Sequence, residues 1–388
     1  MLRPKKKSKS TTTEMKKQSP ELTPNPSLPD DLLLTCFARV SRLYYPTLSL
    51  VSKSCRSLVT SPELYKTRSL LNRSETCLYV CLEFPPYPKV PNPRWFTLCR
   101  KPNQTLTNIP KKKNKKSCGY VLVPVPVPIS PPAHCDGLVA VGSNIYAIGG
   151  SVHKEFSSGV SILDCRSHTW HEAPSMRMER NYPTANVVDG KIYVAGGLED
   201  FDSSKWMEVF DPKIQTWEFV LSPPTLMERD IYKSLVIDRE IYLLGVTGVT
   251  YKPKEDRWRY EGNVLLVWGD SHCVVDNVLY RYCDLGGISW YDSESEIGPW
   301  MKLKGLEGLP KFARYSTVKL VEYGGKMAVF WDKNLPSSGN KSRSIWCAVI
   351  SLERCNNSRE IWGKVESLDA VLTVPRYHHF VDALVATV

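Results

Sequence analysis

A short strand signal that ends in two glycines occurs twice in this 388-residue sequence. The first copy is IYAIGG at residues 145–150, and the second is IYVAGG at residues 192–197, 47 residues further on. The β-branched and aromatic residues favour a buried strand, and the glycines favour a sharp exit where a Cβ has no room. Self-similarity at this period is typical of solenoids, propellers and other repeat arrays.

A second repeated signal is a tryptophan that follows a turn. Trp170 and Trp217 follow the two glycine copies and are also 47 residues apart, and residues 252–258 align with both units without a gap. In each unit we expect a strand to end, a turn to follow and the tryptophan to open the next strand. Counting two looser copies and one near the N-terminus, the six units are marked by Trp95, Trp170, Trp217, Trp258, Trp300 and Trp362.

Composition narrows the class of protein. The 29 prolines and 11 tryptophans fit a turn-rich β protein better than a helical one. The net charge of +11 arises in residues 1–18 and in the lysines of 111–116, so a broad nucleic-acid-binding face is not indicated. We expect no membrane-spanning helix and no secretory signal, because long apolar windows are missing. The 12 scattered cysteines predict reduced thiols in a nuclear and/or cytoplasmic protein.

Two segments are strongly basic. Residues 1–25 are rich in Lys, Ser, Thr and Pro, and we expect a disordered tail because almost nothing in them can be buried. The lysines within residues 5–9 are either a nuclear localisation signal or simply a solvated tail. Residues 101–118 are expected to be a solvated loop insertion rather than a binding site for an acidic partner or nucleic acid.

Residues 26–72 change to a helical pattern. Ser27 and the acids after it look like a helix start, and apolar residues then recur at helical spacing. Pro46 begins a second segment, and Pro62 ends a third. Three helices of this size bury their apolar faces poorly alone, so we infer a partner.

The order of motifs in this segment resembles an F-box. The matching stretches are residues 28–33, 48–58 and 61–65, with the internal spacing of the family. One departure is Cys55, where the family usually has Trp or Phe, and this change is expected to loosen local packing without abolishing the fold. The competing interpretation, a generic three-helix DNA-binding domain, lacks a dense Arg/Lys stripe.

The 47-residue units resemble kelch repeats, each of which is a four-stranded blade of a β-propeller. The resemblance spans residues 78–388 and weakens from residue 262 onward. The apolar segment 380–388 and the strands at 78–98 are both incomplete blades, so we expect them to pair and close the ring. The predicted fold is mainly β: a kelch-type propeller of about six blades, closed by N- and C-terminal strands and preceded by a small all-α F-box domain. Five blades with irregular additions is the alternative.

Both resemblances together point to the plant-type F-box/kelch-repeat family. They imply a substrate-recognition subunit of an SCF-type cullin–RING ubiquitin ligase, in which the F-box docks on a SKP-family adaptor, and through it on cullin and the RING protein. The propeller would hold an unknown target protein. A non-degradative protein-binding scaffold and a small-ligand sensor or propeller enzyme are the alternatives. The resemblance implies that the adaptor-binding face, or the small core beneath it, uses Leu28, Pro29, Leu32, Leu33, Phe37, Leu48, Leu50, Val51 and Leu64.

No enzymatic constellation is recognisable in the sequence. The 7 histidines lack metal-ligand spacing, and GxSxG, P-loop and HExxH motifs do not occur. We therefore expect no catalytic residue, no metal site and no cofactor.

Arginines recur just before the first strand of several repeat units. Residues at one repeat position lie on one ring of a propeller, so these side chains are expected to converge near the channel mouth and favour an acidic peptide or an anionic ligand. The alternative is that each arginine ties blades together through carbonyls or a neighbouring acid. The candidates for target binding are Arg180, Arg229, Arg314 and Arg376.

Overall fold

The computed structural model describes residues 29–84, 93–101 and 119–388, with gaps within the last range at 128, 133, 151–154, 201, 223–230, 232, 246–247, 263–270, 284–286, 293–299, 313–316, 336–340 and 356–359. The predicted basic tail at 1–25 and nearly all of the predicted insertion at 101–118 lie outside the described residues. Within the described part, no helix is long and apolar enough to cross a membrane.

The N-terminal part of the chain is helical, with a 3₁₀ turn at Arg42–Tyr44 and the helices α1 (Asp30–Ala38), α2 (Tyr45–Leu48), α3 (Lys53–Val59) and α4 (Pro62–Leu70). Ser52 and Ser61 cap α3 and α4, because their hydroxyls accept hydrogen bonds from the first-turn amides of Cys55 and Leu64. The prediction that Pro62 only ends a helix was incomplete. It also begins α4, since the first turn of a helix needs no amide hydrogen from proline.

The rest of the chain is built from strands. The first half contains β1 (Thr76–Glu83), β2 (Arg94–Arg100), β3 (Tyr120–Pro124), β4 (Leu138–Val141), β5 (Asn144–Ile148), β6 (Val160–Asp164), β7 (Thr169–Glu172), β8 (Thr184–Val188), β9 (Lys191–Ala195), β10 (Met207–Asp211) and β11 (Thr216–Val220). The second half contains β12 (Lys233–Ile237), β13 (Glu240–Leu244), β14 (Gly248–Lys252), β15 (Arg257–Gly262), β16 (Ser271–Val275), β17 (Val278–Cys283), β18 (Gly287–Asp292), β19 (Met301–Lys302), β20 (Val318–Glu322), β21 (Met327–Asn334), β22 (Ser342–Cys355), β23 (Glu360–Pro375) and β24 (His379–Thr387).

These strands form six antiparallel sheets of four strands, which confirms a six-bladed propeller and rules out the five-blade alternative. Blades 1 to 5 take four consecutive strands each, beginning with β4, β8, β12, β16 and β20 as the inner strands. The closing blade combines β24 with β1, β2 and β3. Thr76 pairs with Thr387 and Glu83 with His379, so the predicted closure by N- and C-terminal strands is confirmed.

The tryptophan units open strands as predicted, but one of these strands has a different place in its blade. Trp170, Trp217 and Trp258 open a strand after a turn, as predicted, and that strand is the fourth of its blade. Trp95 instead lies in β2, the third strand of the closing blade. The fourth strand of that blade is β3, an edge strand ending at Pro124, where the missing amide hydrogen of proline costs the sheet little.

The glycine pairs are required by close backbone contacts between the strand exit and its neighbours. A Cβ on Gly150 would lie 2.0 Å from the Glu155 carbonyl oxygen, and one on Gly197 would lie 2.5 Å from the Asn181 carbonyl oxygen. Gly197 also has a φ of +71°, a conformation that other residues rarely adopt. These exits let the segment before blade 2 run across the ends of blades 1 and 2.

The helical region shares a hydrophobic core with the propeller. Leu64 and Tyr65 of α4 pack in one buried cluster with Tyr79 and Trp95 of the closing blade and Leu138 of blade 1. Part of the apolar surface for which the sequence predicted a partner is therefore covered by the chain itself.

The propeller has two distinguishable faces. β1 begins beside the helices, and the amide of Thr387 at the end of β24 donates to the carbonyl of Gly142 in the turn after β4. The inner strands therefore end on one face, which we name the F-box face. The starts of the inner strands, and the described segments that lead into them, lie on the opposite face, which we name the distal face.

Candidate functional site

Several apolar side chains of the helical region remain exposed. Leu50 is 78% exposed, Val51 69% and Leu32 53%, and Pro29 at the start of α1 is also exposed. Leu50 and Val51 lie in the turn between α2 and the cap of α3, and the described residues leave most of their side-chain surface uncovered. Exposed large apolar residues this close in sequence are typical of a protein-binding surface.

The other predicted adaptor-binding residues are placed differently. Leu33 is half-buried, and Phe37 and Leu48 are half-buried against the shared core. Leu64 is completely buried, so it supports the fold. Leu28 lies outside the described residues. Sequence reasoning missed Leu70 and Tyr44, which are 75% and 52% exposed and belong to the same region.

Arg68 joins the helices to the propeller. Arg68 is 1% exposed, and its guanidinium donates to the carbonyls of Val40 and Arg73 at 2.7 and 2.6 Å and to the Glu75 carboxylate at 2.8 Å. The backbone of Glu75 in turn pairs with Val388 in both directions. A charged group with this many partners is costly to move, so the link between the two parts is stiff.

Arg42 makes a second connection between the two parts. Its Nη2 donates to the carbonyl of Cys165, in the turn between β6 and β7, at 3.1 Å. Its backbone amide donates to the Glu75 carboxylate at 3.1 Å, and its guanidinium lies over the ring of Tyr65. The helices are thereby attached to blade 1 as well as to the closing blade.

The arginines predicted to bind a target do not form an exposed ring among the described residues. Arg229 and Arg314 lie outside that part of the chain. Arg376 is exposed on the turn between β23 and β24, with its guanidinium over the ring of Tyr377. It lies on the distal face.

Arg180 is fully buried, which corrects the expectation that it contacts a target. Its guanidinium donates to the carboxylate of Glu208, which is also fully buried, at 2.9 Å. It also donates to the carbonyls of Gly196 and Trp206 at 2.7 and 2.8 Å. Burial lowers the pKa of Arg180, and Glu208 acts against that shift. This is the arrangement of the alternative, in which the arginine ties blades together.

Polar contacts join the starts of neighbouring inner strands, and we name this set the polar belt. The hydroxyls of Thr184 and Ser234 form a hydrogen bond, and Nε2 of His272 lies 3.4 Å from the Ser234 carbonyl. Nζ of Lys319 lies 3.9 Å from the Asp382 carboxylate. The belt lines the distal end of the propeller axis with groups of both signs.

Two belt residues have shifted pKa values. Burial lowers the pKa of His272 to about 4, with the charge of Lys233 acting in the same direction, so the imidazole is neutral at pH 7. Burial raises the pKa of Asp382 to about 6, and the charge of Lys319 acts against that shift. The belt therefore does not present the one-signed positive ring predicted from the arginines.

Three potential metal ligands meet on the distal face, a feature the sequence interpretation did not find. The 3₁₀ turn Cys135–Gly137 brings together side chains of His134, Cys135 and Asp136, whose donor atoms lie within 4.8 Å of one another. Burial lowers the pKa of His134 and raises that of Cys135 to about 12. The available signal was the run of three potential ligands directly before a predicted first strand.

Comparisons with known proteins agree with this architecture. The family model described as FKB95, Kelch-repeats domain, matches residues 95–372, and the F-box domain model matches residues 26–67. Among curated proteins, the Arabidopsis thaliana F-box/kelch-repeat protein At4g39550 is 58% identical over 404 aligned positions, with 100% of both chains covered. The F-box/kelch-repeat protein At5g49000 of the same plant is 64% identical over 391 positions, again with 100% of both chains covered.

A third relative, the A. thaliana F-box/kelch-repeat protein At4g39580, is 52% identical over 374 positions, with 95% of this chain and 96% of that protein covered. An F-box joined to a kelch propeller supports, in general terms, the role of an SCF substrate adaptor. From the two family models, the six-bladed fold and these relatives, we conclude that the chain belongs to the plant F-box/kelch-repeat protein family.

Proposed function

We propose that this protein is the substrate receptor of an SCF-type cullin–RING ubiquitin ligase. In this role the F-box docks on a SKP-family adaptor, and through it on cullin and the RING protein, while the distal face of the propeller holds a target protein. The receptor forms and breaks no covalent bond. It accelerates transfer of ubiquitin by holding a target lysine at high effective concentration near the conjugating enzyme.

The exposed side chains of Leu32, Leu50 and Val51 are the observation that carries this proposal. Fully burying a side chain of this size is worth about 1.5–3 kcal/mol, so their joint burial against an adaptor supplies a large part of a specific affinity. They belong to the part of the chain that is similar to an F-box, and the shared core leaves them uncovered.

The distal face is the proposed target-binding surface because the F-box occupies the other side. Loops that connect blades lie on the distal face, and exposed Arg376, Tyr377 and Tyr182 belong to them. Exposed arginine and tyrosine side chains are common anchors of protein interfaces. Attachment of the F-box through Arg68 and Arg42 holds this face pointing away from the adaptor.

Affinity purification of the full-length chain tests the adaptor contact. Wild-type protein should recover the adaptor and cullin, and Leu50→Asp should recover at least about tenfold less, because a charge at a buried interface position costs more than about 1.4 kcal/mol. Ile214→Asp is the matched control: Ile214 is 65% exposed in a propeller turn on the F-box face, outside the helical region. It should retain wild-type recovery.

Two outcomes would contradict this assignment. If the wild type does not recover the adaptor, the proposed ligase function is wrong. If Leu50→Asp recovers as much adaptor as the wild type, Leu50 is not part of the interface. Proteins recovered with both wild type and Leu50→Asp are the target candidates. If none of them accumulates when the chain is deleted, the scaffold alternative replaces the degradative one. Action in the nucleus and/or cytoplasm is part of the proposal, and imaging of the tagged chain tests it.

A further inference from the structure

The cluster of His134, Cys135 and Asp136 is not used by the proposed receptor function. It lies in the segment that enters β4, at the distal mouth of the propeller. The carboxylate Oδ2 of Asp136 is 3.5 Å from Sγ of Cys135 and 3.8 Å from Nδ1 of His134. The Sγ atom is 3.9 Å from Nε2 of His134. Three different ligand types therefore converge on one small volume.

These separations approach those of a tetrahedral metal site. Zinc binds sulfur at about 2.3 Å and nitrogen or oxygen at about 2.0 Å, so two of its ligands lie about 3.3–3.5 Å apart in a tetrahedron. The Sγ–Oδ2 pair already lies at the upper end of this range. The two His134 distances, 3.8 Å from Nδ1 and 3.9 Å from Nε2, belong to different ring nitrogens, and a single ion would use one of them. The three donor atoms lie within 4.8 Å of one another, and rotation of exposed Asp136 and half-buried Cys135 would bring them to ligand distances.

The state of His134 provides a second, independent observation. Its Nδ1 atom is buried and makes no hydrogen bond to any described residue. The imidazole packs edge-on against Tyr182, with ring centroids 4.6 Å apart, and Tyr182 holds an unusual φ of +50°. A buried ring nitrogen without a partner costs free energy unless something else satisfies it, and a metal ion does so.

The charges around the cluster are close to balanced. Lys319 is near enough to act on His134 electrostatically, and it opposes a bound cation. Lys319 itself lies 3.9 Å from the Asp382 carboxylate, which offsets its charge. One carboxylate and one thiolate of the cluster would then neutralise a divalent ion.

We propose that His134, Cys135 and Asp136 bind one divalent cation of the zinc class. Nitrogen, sulfur and oxygen ligands together favour Zn²⁺ over the hard cations Mg²⁺ and Ca²⁺. Three protein ligands leave a fourth position for water or an external donor, which is the pattern of an open zinc site. The site lies on the distal face, away from the F-box, and is independent of adaptor binding.

Titration of the chelator-stripped, full-length chain with Zn²⁺ alone tests this site, and Co²⁺ substitution shows whether a thiolate is a ligand. The wild type should bind one equivalent, with a thiolate-to-cobalt charge-transfer band. Cys135→Ser should abolish that band, and Cys135→Ser and His134→Gln should each weaken binding more than about tenfold. Asp136→Asn removes a carboxylate ligand and should therefore weaken zinc binding. Because Asp136 is exposed, this change should not affect the fold. Cys355→Ser is the matched control, because Cys355 is an exposed cysteine on β22.

A wild type that binds no zinc above background, while its melting curve shows it folded, would overturn the proposal. So would equal binding by the wild type, Cys135→Ser and Asp136→Asn, which would assign the ion to other thiols. Loss of zinc binding in Cys355→Ser would likewise assign the ion to a thiol other than Cys135. A folded Asp136→Asn variant with reduced affinity supports the site even if His134→Gln does not fold.

Discussion

The Arg180 guanidinium and the Glu208 carboxylate form an ion pair at 2.9 Å in which both side chains are fully buried. Glu208 also accepts a hydrogen bond from the Arg177 amide at 2.7 Å. The pair therefore fixes the segment that crosses from blade 1 to blade 2 and holds the exit at Gly196 through the guanidinium.

Removing Arg180 should destabilise the propeller. We expect Arg180→Ala to lower the free energy of unfolding by about 3–5 kcal/mol, because Glu208 would remain buried without its countercharge. Chemical denaturation measures this loss. A double variant, Arg180→Ala with Glu208→Ala, should be less destabilised than the sum of the two single changes. An unchanged unfolding midpoint for Arg180→Ala would mean that the ion pair does not support the fold.

Arg376 should behave in the opposite way. Because it is exposed on the distal face, Arg376→Glu should leave the unfolding midpoint within about 0.5 kcal/mol of the wild type and should reduce recovery of target proteins. Adaptor recovery from the same purification is the internal control and should not change. Undiminished recovery of every target would exclude Arg376 from the target-binding surface.

Arg68 should control the attachment of the F-box to the propeller. Arg68→Met should cost about 2 kcal/mol, less than a fully buried pair, because the Glu75 side chain is 34% exposed. Hydrogen exchange should accelerate in α1 and α4 more than in blade 3. Arg56→Met is the control, since Arg56 is exposed and its side chain donates, among the described residues, to the Ser49 carbonyl. If α1 and α4 are equally protected from hydrogen exchange in Arg68→Met and the wild type, Arg68 does not control this attachment.

His272 should contribute to acid sensitivity. Its pKa is about 4 in the folded protein and about 6.5 when unfolded, so the folded state binds fewer protons. Its stabilising contribution, up to about 3 kcal/mol, is present above pH 6.5 and is lost as the pH falls towards 4.

Asp382 acts in the opposite direction, because its raised pKa makes the folded state bind more protons over much of the same range. The contribution of His272 is therefore measured by comparing the pH dependence of stability in His272→Gln with that in the wild type. His272→Gln should lose less stability between pH 6.5 and 4 than the wild type, as measured by denaturation at each pH. His171→Gln changes an exposed histidine and should follow the wild type. Identical pH profiles for His272→Gln and the wild type would contradict the assignment.

Periodic signals predicted the fold well, because each blade needs the same strand, turn and packing residues at the same positions. The glycine exits at 149–150 and 196–197 and the opening tryptophans mark contacts that recur from blade to blade. Trp95 opens the third strand of its blade rather than the fourth, because the closing blade takes its inner strand from the C-terminal end of the chain. A tryptophan after a turn has the same local pattern in a third strand as in a fourth.

Side-chain environments were harder to predict than strands. The repeat position correctly placed Arg180 before an inner strand. Its partner, the Glu208 carboxylate, lies 28 residues further along the chain in a different strand, so the ion pair could not be predicted from the repeat. Likewise, the donors of His134–Asp136 converge only because a tight turn forms there, which residue spacing alone does not indicate. Leu50 and Leu64 look equivalent as motif residues, yet the shared core with the propeller buries only Leu64.

The pairing of β1 with β24 also sets the order in which the protein can mature on the ribosome. β1, β2 and the helices are synthesised early, but the strand that completes their blade is made after every other blade. Ala386 and Val388 belong to the core that contains Leu64. The first domain to emerge is thus completed last, so a chain interrupted before β24 would lack an intact ring and a firmly seated F-box. Only chains translated through β24 would then present both surfaces together.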